Sequence, residues 1–168
     1  MKSRLMKIES LFKLIPGAFH ATSELEPGTV PLISCGEENN GLIGHYNIPL
    51  AQTHQRALTV AFNGFPLTTN YHPYRFGAKD DVAILVPLEP MSDGVLIYIA
   101  ARLNEMKWRY SYGRKCYREK LKNVEVPLPA KGSKIDATIP DAMLREAFGD
   151  VRRSVQESLD ALFQAPTP

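Results

Sequence analysis

The chain has no hydrophobic run long enough to cross a membrane. Its longest apolar stretch, residues 95–101 of 168, is far shorter than the roughly 20 residues that a transmembrane helix needs. The N-terminus is basic, but no sustained apolar segment or small-residue cleavage site follows it, so no secretory signal is expected. These absences argue against membrane and secreted proteins.

Cysteine is also scarce, with only Cys35 and Cys116 in the sequence. They lie far apart, neither belongs to a Cys-x-x-Cys pair, and the four histidines occur singly without His-x-x-x-His spacing. Structural zinc sites need such clustered ligands, so no metal site is predicted. Two isolated thiols are typical of a reduced, cytoplasmic protein.

No catalytic motif is assembled in the sequence. A Gly-x-Ser-x-Gly elbow and a Gly-x-x-x-x-Gly-Lys phosphate loop are both absent. Residues 70–74 (NYHPY) superficially match the Asn-Pro-Pro-Tyr loop of adenine methyltransferases, but no proline follows Asn70 directly and no glycine-rich turn precedes it. Asp80-Asp81 lacks the Glu-x-Lys partner of a two-carboxylate nuclease. We predict a protein without enzymatic activity or cofactor; an unrecognised nuclease or methyltransferase is the weakest alternative.

What the chain does contain is an ordinary globular composition with an uneven charge distribution. It is 44% hydrophobic and 23% charged, and its length suits one domain with a real core. Residues 105–122 carry seven lysines and arginines against two glutamates, a net +5, so the rest of the chain carries −3. A basic segment on an acidic body is typical of proteins that bind a polyanion, although a solvated helix face is the alternative.

Hydrophobic periodicity predicts an α+β domain with a mixed, mostly antiparallel sheet. Pro31 favours an edge position for the first clear strand, and the apolar run at 82–88 favours a central one. Residues 7–15 fit either a strand or a short helix. After a Ser92 cap, apolar residues recur at helical spacing and predict one buried helix. The predicted strands are residues 30–34, 42–48, 57–62, 82–88 and 124–129.

The C-terminus predicts a second, amphipathic helix at residues 141–164. We divide the chain into a globular domain at 1–130, a linker at 131–140 and this helix. One apolar stripe runs along it, spaced much like the seam of a coiled coil, so the helix either packs on its own domain or pairs with a second copy or a partner. The stripe consists of Leu144, Phe148, Val151, Val155, Leu159 and Leu162.

Three blocks of sequence together resemble the target recognition domain of type I restriction-modification specificity subunits, which is also fused in some type II enzymes. The first is residues 28–34 (GTVPLIS) with 40–46 (NGLIGHY), and the second is 58–64 (LTVAFNG) continuing through Tyr71, His72 and Phe76. The third is 110–115 (YSYGRK) with 120–122 and 126–129. The resemblance covers about residues 8–130 and implies a module that reads part of a target in double-stranded DNA. It also implies partner methyltransferase and restriction subunits that perform the chemistry.

Elementary recognition chemistry assigns roles within these blocks. Arg114 suits a guanine edge through two hydrogen bonds, whereas nearby lysines suit phosphates. Asn39 or Asn40 suits an adenine edge if its turn faces the groove; backbone geometry is the alternative for the asparagine turns and core packing for the aromatic residues. Trp108 is assigned to packing. The predicted DNA contacts are Asn39, Asn40, His45, Tyr46, Asn63, Tyr71, His72, Tyr74, Arg75, Tyr112, Arg114, Lys115, Arg118, Lys120 and Lys122.

One departure from the resemblance is the single domain with one helix of modest length, where a complete type I specificity subunit resembles two such domains joined by long paired helices. The chain is then a half-subunit that dimerises, a piece of a larger enzyme, or a recognition chain of another system. The competing functional hypothesis is a protein-interaction or assembly module of a defence system that keeps the fold without reading DNA.

Overall fold

Three small β-sheets, rather than the single sheet predicted, form the body of the protein. A computed structural model describes residues 3–19, 21–111 and 113–164, with side chains up to residue 158. The strands are β1 (Ser3–Lys7), β2 (Phe12–Pro16), β3 (Pro27–Ile33), β4 (Leu42–Tyr46), β5 (Ala57–Ala61), β6 (Thr69–His72), β7 (Gly77–Ala78), β8 (Val82–Pro87), β9 (Glu125–Lys131) and β10 (Lys134–Ile135). The helices are α1 (Ile8–Leu11), α2 (Asp93–Glu105), α3 (Arg118–Lys122) and α4 (Thr138–Gln164).

The largest of these sheets has the strand order β2-β8-β5-β6, and all its neighbours are antiparallel. The central position predicted for residues 82–88 is confirmed by β8. Every residue of β5 is buried, because both faces of the sheet are covered. Leu58 and Leu85 belong to the main core, which also contains the buried side of α2. On the opposite face Ala61 and Ile84 pack in a second cluster with Phe76.

The sheet containing Pro31 has the order β4-β3-β7, so the edge position predicted for residues 30–34 is wrong. The physical reason is the shortness of β7, which pairs in parallel with Leu32 and Ile33 alone. Pro31 lies before this pairing and has a neighbouring strand on one side only, β4. The missing amide hydrogen of a proline is tolerated at such a half-open position.

The remaining sheet places β9 between β1 and β10. Its β9–β10 turn occupies residues predicted to be a linker: β9 extends to Lys131, and Gly132 takes a left-handed φ of 63° in the turn. The predicted strand at 42–48 ends as β4 at Tyr46. Both alternatives for residues 7–15 occur, because the one-turn helix α1 joins β1 to β2.

Helix α2 is the buried helix that the periodicity predicts. The Ser92 hydroxyl accepts a hydrogen bond from the Val95 amide at 3.3 Å, and Leu96, Ile99 and Leu103 are at most 1% exposed. The helix ends at Glu105, before a 3-10 turn at Lys107–Arg109. This change of direction takes Trp108 off the buried stripe and leaves it 79% exposed, so its predicted packing role is wrong.

Helix α4 begins at Thr138, three residues earlier than predicted, and its first turn packs on the start of α2. The Ser92 hydroxyl donates a hydrogen bond to Asp141 Oδ1. Gly94 lies so close that an added Cβ would be 2.9 Å from the Asp141 backbone nitrogen.

Further along α4 the apolar stripe is open to solvent. Phe148, Val151 and Val155 are 65%, 60% and 54% exposed. These three residues do not pack on their own domain, so that alternative is wrong for them; the side chains of Leu159 and Leu162 lie outside the described residues. No helix in the described ranges is both long enough and apolar enough to span a membrane.

Candidate nucleic-acid interface

The basic segment, which follows α2 in the chain, packs on the main core. Cys116 and Leu121 are fully buried and hold the segment against the body. Burial, more than any other influence, raises the pKa of the Cys116 thiol, whereas its hydrogen bond with Tyr110 and the charge of Lys120 act in the opposite direction. The thiol therefore anchors the segment as a neutral packing group.

The predicted cations of this segment differ in their partners. Arg114, Arg118 and Lys120 are exposed, and the Lys120 ammonium donates a hydrogen bond to the Lys115 carbonyl at 3.4 Å. The Arg118 guanidinium donates a hydrogen bond to the Leu14 carbonyl at 3.1 Å, and Lys122 pairs with Glu119 at 2.7 Å. The Lys122 hydrogen bond is the main cause that lowers the pKa of Glu119. Tyr112, also predicted as a contact, lies outside the described residues.

Lys115 joins the basic segment to the loop between β5 and β6. Its ammonium donates a hydrogen bond to Asn63 Oδ1 at 2.7 Å and lies 5.9 Å from the centre of the Tyr117 ring. Gly64, next to Asn63, takes a left-handed φ of 61°, as the Asn-Gly pair suggested. The two predicted contacts Asn63 and Lys115 are thereby brought together.

Lys107 joins the same loop to a third segment, residues 36–41. Its ammonium donates to the Glu37 carboxylate and lies 5.8 Å from the centre of the Phe65 ring. Glu37 also accepts a hydrogen bond from the Thr68 hydroxyl at 3.4 Å. These contacts join residues 36–41, 62–68, 107–111 and 113–120 into one surface, which we call the basic face.

The Asn39–Asn40 turn at the edge of the basic face is left-handed at both residues, with φ of 49° and 58°. The Asn40 amide lies within hydrogen-bond distance of three acceptors: the Tyr71 carbonyl at 3.0 Å, His72 Nδ1 at 3.2 Å and the Tyr74 hydroxyl at 3.3 Å. The Asn39 side chain is exposed, and in the described part of the chain it makes no hydrogen bond. The two predicted contacts therefore differ. The Asn40 amide holds the turn against residues 71–74, whereas the Asn39 amide is exposed to solvent.

His72 has no exposed surface and supports the loop from beneath. Because its Nδ1 accepts from Asn40, its proton lies on Nε2 and is donated to Thr59 Oγ1, 2.9 Å away. Burial lowers the pKa of His72 to about 4, which keeps the ring neutral at physiological pH. A side chain so enclosed cannot touch DNA directly in this conformation, and its effect would pass through Asn40 and Tyr74.

The other predicted residues of this region have separate surroundings. The Tyr71 hydroxyl donates to Asp93 at 2.7 Å, and burial, followed by that hydrogen bond, raises its pKa to about 12. Tyr74 is 40% exposed, and Arg75 donates to the Thr53 hydroxyl at 3.0 Å. Asn40, His72 and Tyr74 are thus brought together, while Tyr71 and Arg75 are directed to other partners.

His45 and Tyr46 lie on β4, which directly follows residues 36–41 of the basic face and is the outer strand of its sheet. Among the described residues, no side-chain hydrogen bond or ion pair joins these two predicted contacts to the basic segment.

The predicted DNA contacts omit six residues that contribute to the basic face: Glu37, Phe65, Lys107, Trp108, Arg109 and Tyr117. Phe65 is 58% exposed and Trp108 79% exposed, and the Arg109 guanidinium lies 5.3 Å from the centre of the Trp108 ring. A signal for Trp108 was present, because the residue stands between Lys107 and Arg109 within the basic segment. Nothing local marks Phe65 or Glu37, whose positions depend on contacts between distant segments.

The other end of α2 offers an apolar cleft of about 560 Å³. Its lining includes Met6, Leu11, Met91 and Val95, and its charged residues are Glu89 and Lys134 alone, so it offers few groups for chemistry. In the ranges that the structure describes, no group of three or more histidine, cysteine, aspartate or glutamate residues is placed to hold a metal ion. The basic face is the stronger candidate site.

Comparison with solved structures identifies the fold. No protein-family model matches the chain. The S subunit of a type I restriction-modification system from M. genitalium superposes on 95% of this chain with a TM-score of 0.61 at 14% identity. The HsdS subunit of Thermoanaerobacter tengcongensis covers 99% with a TM-score of 0.57 at 16% identity. A chain from a structure of type I restriction-modification complex assembly covers 96% with a TM-score of 0.64 at 16% identity.

The chain therefore has the fold of a target recognition domain from restriction-modification specificity subunits, as its sequence blocks suggested. Among curated proteins, the type II specificity subunit S.BcgI of Heyndrickxia coagulans is 28% identical over 143 residues, which are 84% of this chain. The match spans 41% of S.BcgI and 40% to 43% of the three solved chains. This protein thus corresponds to somewhat less than half of each relative.

Proposed function

We propose that this chain binds a specific sequence in double-stranded DNA as the specificity module of a restriction-modification system. It works in the cytoplasm, performs no chemistry itself, and directs a partner methyltransferase and, where present, an endonuclease subunit to the site that it reads. The named relatives support this proposal, because each belongs to such a system.

The basic face is the observation that carries the proposal. Three segments far apart in sequence are joined there by Lys107 and Lys115, each of which also lies beside an aromatic ring. The exposed Arg114 and Lys120 extend the positive charge. Cations attract the DNA backbone and give binding its salt dependence, while protein side chains that reach base edges give it specificity.

Asn39 is the proposed reader of a base edge. A carboxamide can exchange two hydrogen bonds with an adenine edge in the major groove, and the Asn39 amide is exposed. Asn40, whose amide contacts three acceptors at 3.0–3.3 Å, fixes the shape of the turn. We further assign Arg114 to a guanine edge and Lys120 to a phosphate.

Selection from a randomised duplex pool tests the proposal. The purified chain is titrated at low and physiological salt, and the bound fraction is sequenced. We expect enrichment of a short fixed pattern and affinity that falls steeply as salt rises. Binding that is absent at both salt concentrations, with and without methyltransferase subunits, would remove the DNA-reading function.

A second function, protein assembly, is favoured by the exposed stripe on α4. Large exposed apolar surfaces usually mark contacts with other proteins, and Phe148, Val151 and Val155 form one. We propose that α4 pairs with the same helix of a second copy, since its stripe is spaced like the seam of a coiled coil. The interaction-only alternative keeps this surface and lacks DNA binding.

Light scattering after size-exclusion chromatography tests the pairing. We expect the wild-type chain to dimerise and Phe148→Glu with Val151→Glu to remain monomeric at the same concentration. Glu146→Gln, on the opposite face of the helix, is the matched control and should still dimerise. A monomeric wild-type chain at all concentrations would refute pairing through α4.

A further inference from the structure

Trp108 is the most exposed large apolar side chain of the basic face, with 79% of its surface open. It lies on the 3-10 turn that follows α2, and two backbone hydrogen bonds hold that turn: Arg109 amide to Met106 carbonyl at 3.0 Å, and Tyr110 amide to Lys107 carbonyl at 2.9 Å. The ring therefore contributes little to the core, yet a fixed backbone presents it to solvent. Tryptophan so presented is typical of a binding surface.

A cation lies beside each of the three exposed rings that the structure describes on the basic face. The cation-to-centroid distances are 5.8 Å for Lys107 and Phe65, 5.3 Å for Arg109 and Trp108, and 5.9 Å for Lys115 and Tyr117. Phe65 and Tyr117 are 58% and 56% exposed. Rings interleaved with cations are what proteins use to stack on nucleic-acid bases while contacting the neighbouring phosphates.

This combination favours a nucleic-acid partner over an apolar protein partner. An apolar protein surface would be complemented by uncharged apolar side chains, as on the exposed stripe of α4, and burying cations against it would carry a desolvation cost. DNA complements both parts, because the phosphates meet the cations and the π-face of a base meets the indole. In an intact duplex that π-face is covered by its neighbours, so access requires local unstacking.

We propose that Trp108 inserts at a distorted step of the bound duplex and stacks on a base that has left its normal stack. This inference rests on the proposed DNA-reading function and adds a mechanical role, in which the module deforms the DNA that it recognises. An enzyme that modifies a base must take that base out of the helix, and a stacking side chain on the specificity module would lower the cost of doing so.

The single tryptophan of the chain makes its intrinsic fluorescence report on this position alone. The probe is the duplex enriched from the randomised pool, and its binding is followed separately by the anisotropy of an end label. We expect DNA to quench the Trp108 emission and to protect it from acrylamide. Trp108→Ala should weaken binding about 5- to 150-fold, and Trp108→Phe should retain most of the affinity.

A fluorescent adenine analogue, 2-aminopurine, placed in turn at each position of the duplex locates the unstacked base. At the position next to the displaced base, which loses a stacking neighbour, emission should rise on binding of the wild-type chain and stay low with Trp108→Ala at saturating protein. At the displaced base itself, stacking on Trp108 should keep the emission quenched. The matched control is Leu50→Ala, which removes a side chain that is 70% exposed on another 3-10 turn and should change neither signal.

The outcomes distinguish failure of the stacking role from failure of the proposed DNA-reading function. If the label reports DNA binding while Trp108 emission and the affinity of Trp108→Ala are unchanged, the stacking role is refuted and the DNA-reading function stands. If Trp108 emission responds to a methyltransferase subunit and not to DNA, the residue makes a protein contact and the stacking role is again refuted. Failure of every duplex to bind refutes both.

Discussion

Replacing Asn40 by glycine tests whether the hydrogen bonds beneath the left-handed turn hold it in place. Glycine adopts φ of about 60° without steric cost, so the substitution removes the side chain and adds no backbone strain. Asn39→Gly is the matched control: its φ is similarly left-handed, but its exposed amide makes no hydrogen bond in the described part of the chain. The flexibility that glycine adds to the unfolded chain cancels between the two variants.

The expected difference follows from the contacts that each variant loses. A typical intramolecular hydrogen bond contributes about 0.5–1.5 kcal/mol net, and a buried group left without a partner costs about 1–3 kcal/mol. Asn40→Gly removes the donor to the Tyr71 carbonyl and one of the two contacts of buried His72 Nδ1, which keeps the Tyr74 hydroxyl at 3.2 Å. We therefore expect Asn40→Gly to be less stable than Asn39→Gly by about 1–3 kcal/mol.

Urea unfolding followed by circular dichroism measures this difference, with the free energy taken from the midpoint at an unchanged slope. Two variants within about 0.5 kcal/mol of each other would refute the supporting role of Asn40, since surface changes commonly lie in that range. In DNA selection the effects should be reversed: Asn39→Gly should relax one position of the enriched pattern, whereas Asn40→Gly should weaken binding across sequences.

Three further predictions concern other parts of the molecule. Burial lowers the pKa of His72 to about 4, against 6.5 for an ordinary histidine, so between these two values only the unfolded chain takes up this proton. The free energy of unfolding in urea should therefore fall by about 2 kcal/mol from pH 7 to pH 5, and His72→Gln should lack this part of the pH dependence. Gly94→Ala would force α4 to shift and should lower the stability by about 1–3 kcal/mol. Gly149→Ala has open space around the added carbon and should raise the stability by up to about 1 kcal/mol. Equal shifts of the two unfolding temperatures in the same direction would contradict this. Arg114→Ala should reduce affinity about 5- to 150-fold and relax one base position, whereas Lys134→Ala at the other end of α2 should leave anisotropy titrations unchanged.

Sequence patterns predicted those elements whose surroundings are encoded locally. The capped run after Ser92 has apolar residues at helical spacing and forms α2, which is buried on one face. The continuous apolar run from Val82 forms β8, which is buried on both faces. The edge position predicted for β3 from Pro31 is wrong, since a proline is tolerated there because β7 is too short to reach it. The residue types around Gly132 predict a linker and form the turn between β9 and β10, because the same residue types occur in both.

Within the candidate site, residue type alone could not separate neighbouring side chains. His72 and Tyr74 occur in one aromatic stretch, yet one is fully buried and the other 40% exposed. Asn39 and Asn40 share backbone geometry and differ in what lies within reach of the amide. Contacts between segments decide these differences, so the DNA contacts predicted from sequence remain predictions to be tested.

The length of α2 has a consequence for how recognition is aligned with the rest of an assembly. Its first turn is in contact with α4 at Gly94, and its last turn leads directly into the turn that carries Trp108. Thirteen residues at about 1.5 Å each separate these two ends by about 20 Å along the axis. Insertion of one helical turn, about 5.4 Å, would displace the Trp108 end by about one and a half base-pair steps of 3.4 Å. If the basic face binds DNA as proposed, the axial length of α2 would therefore set the register between the bound bases and any partner of α4.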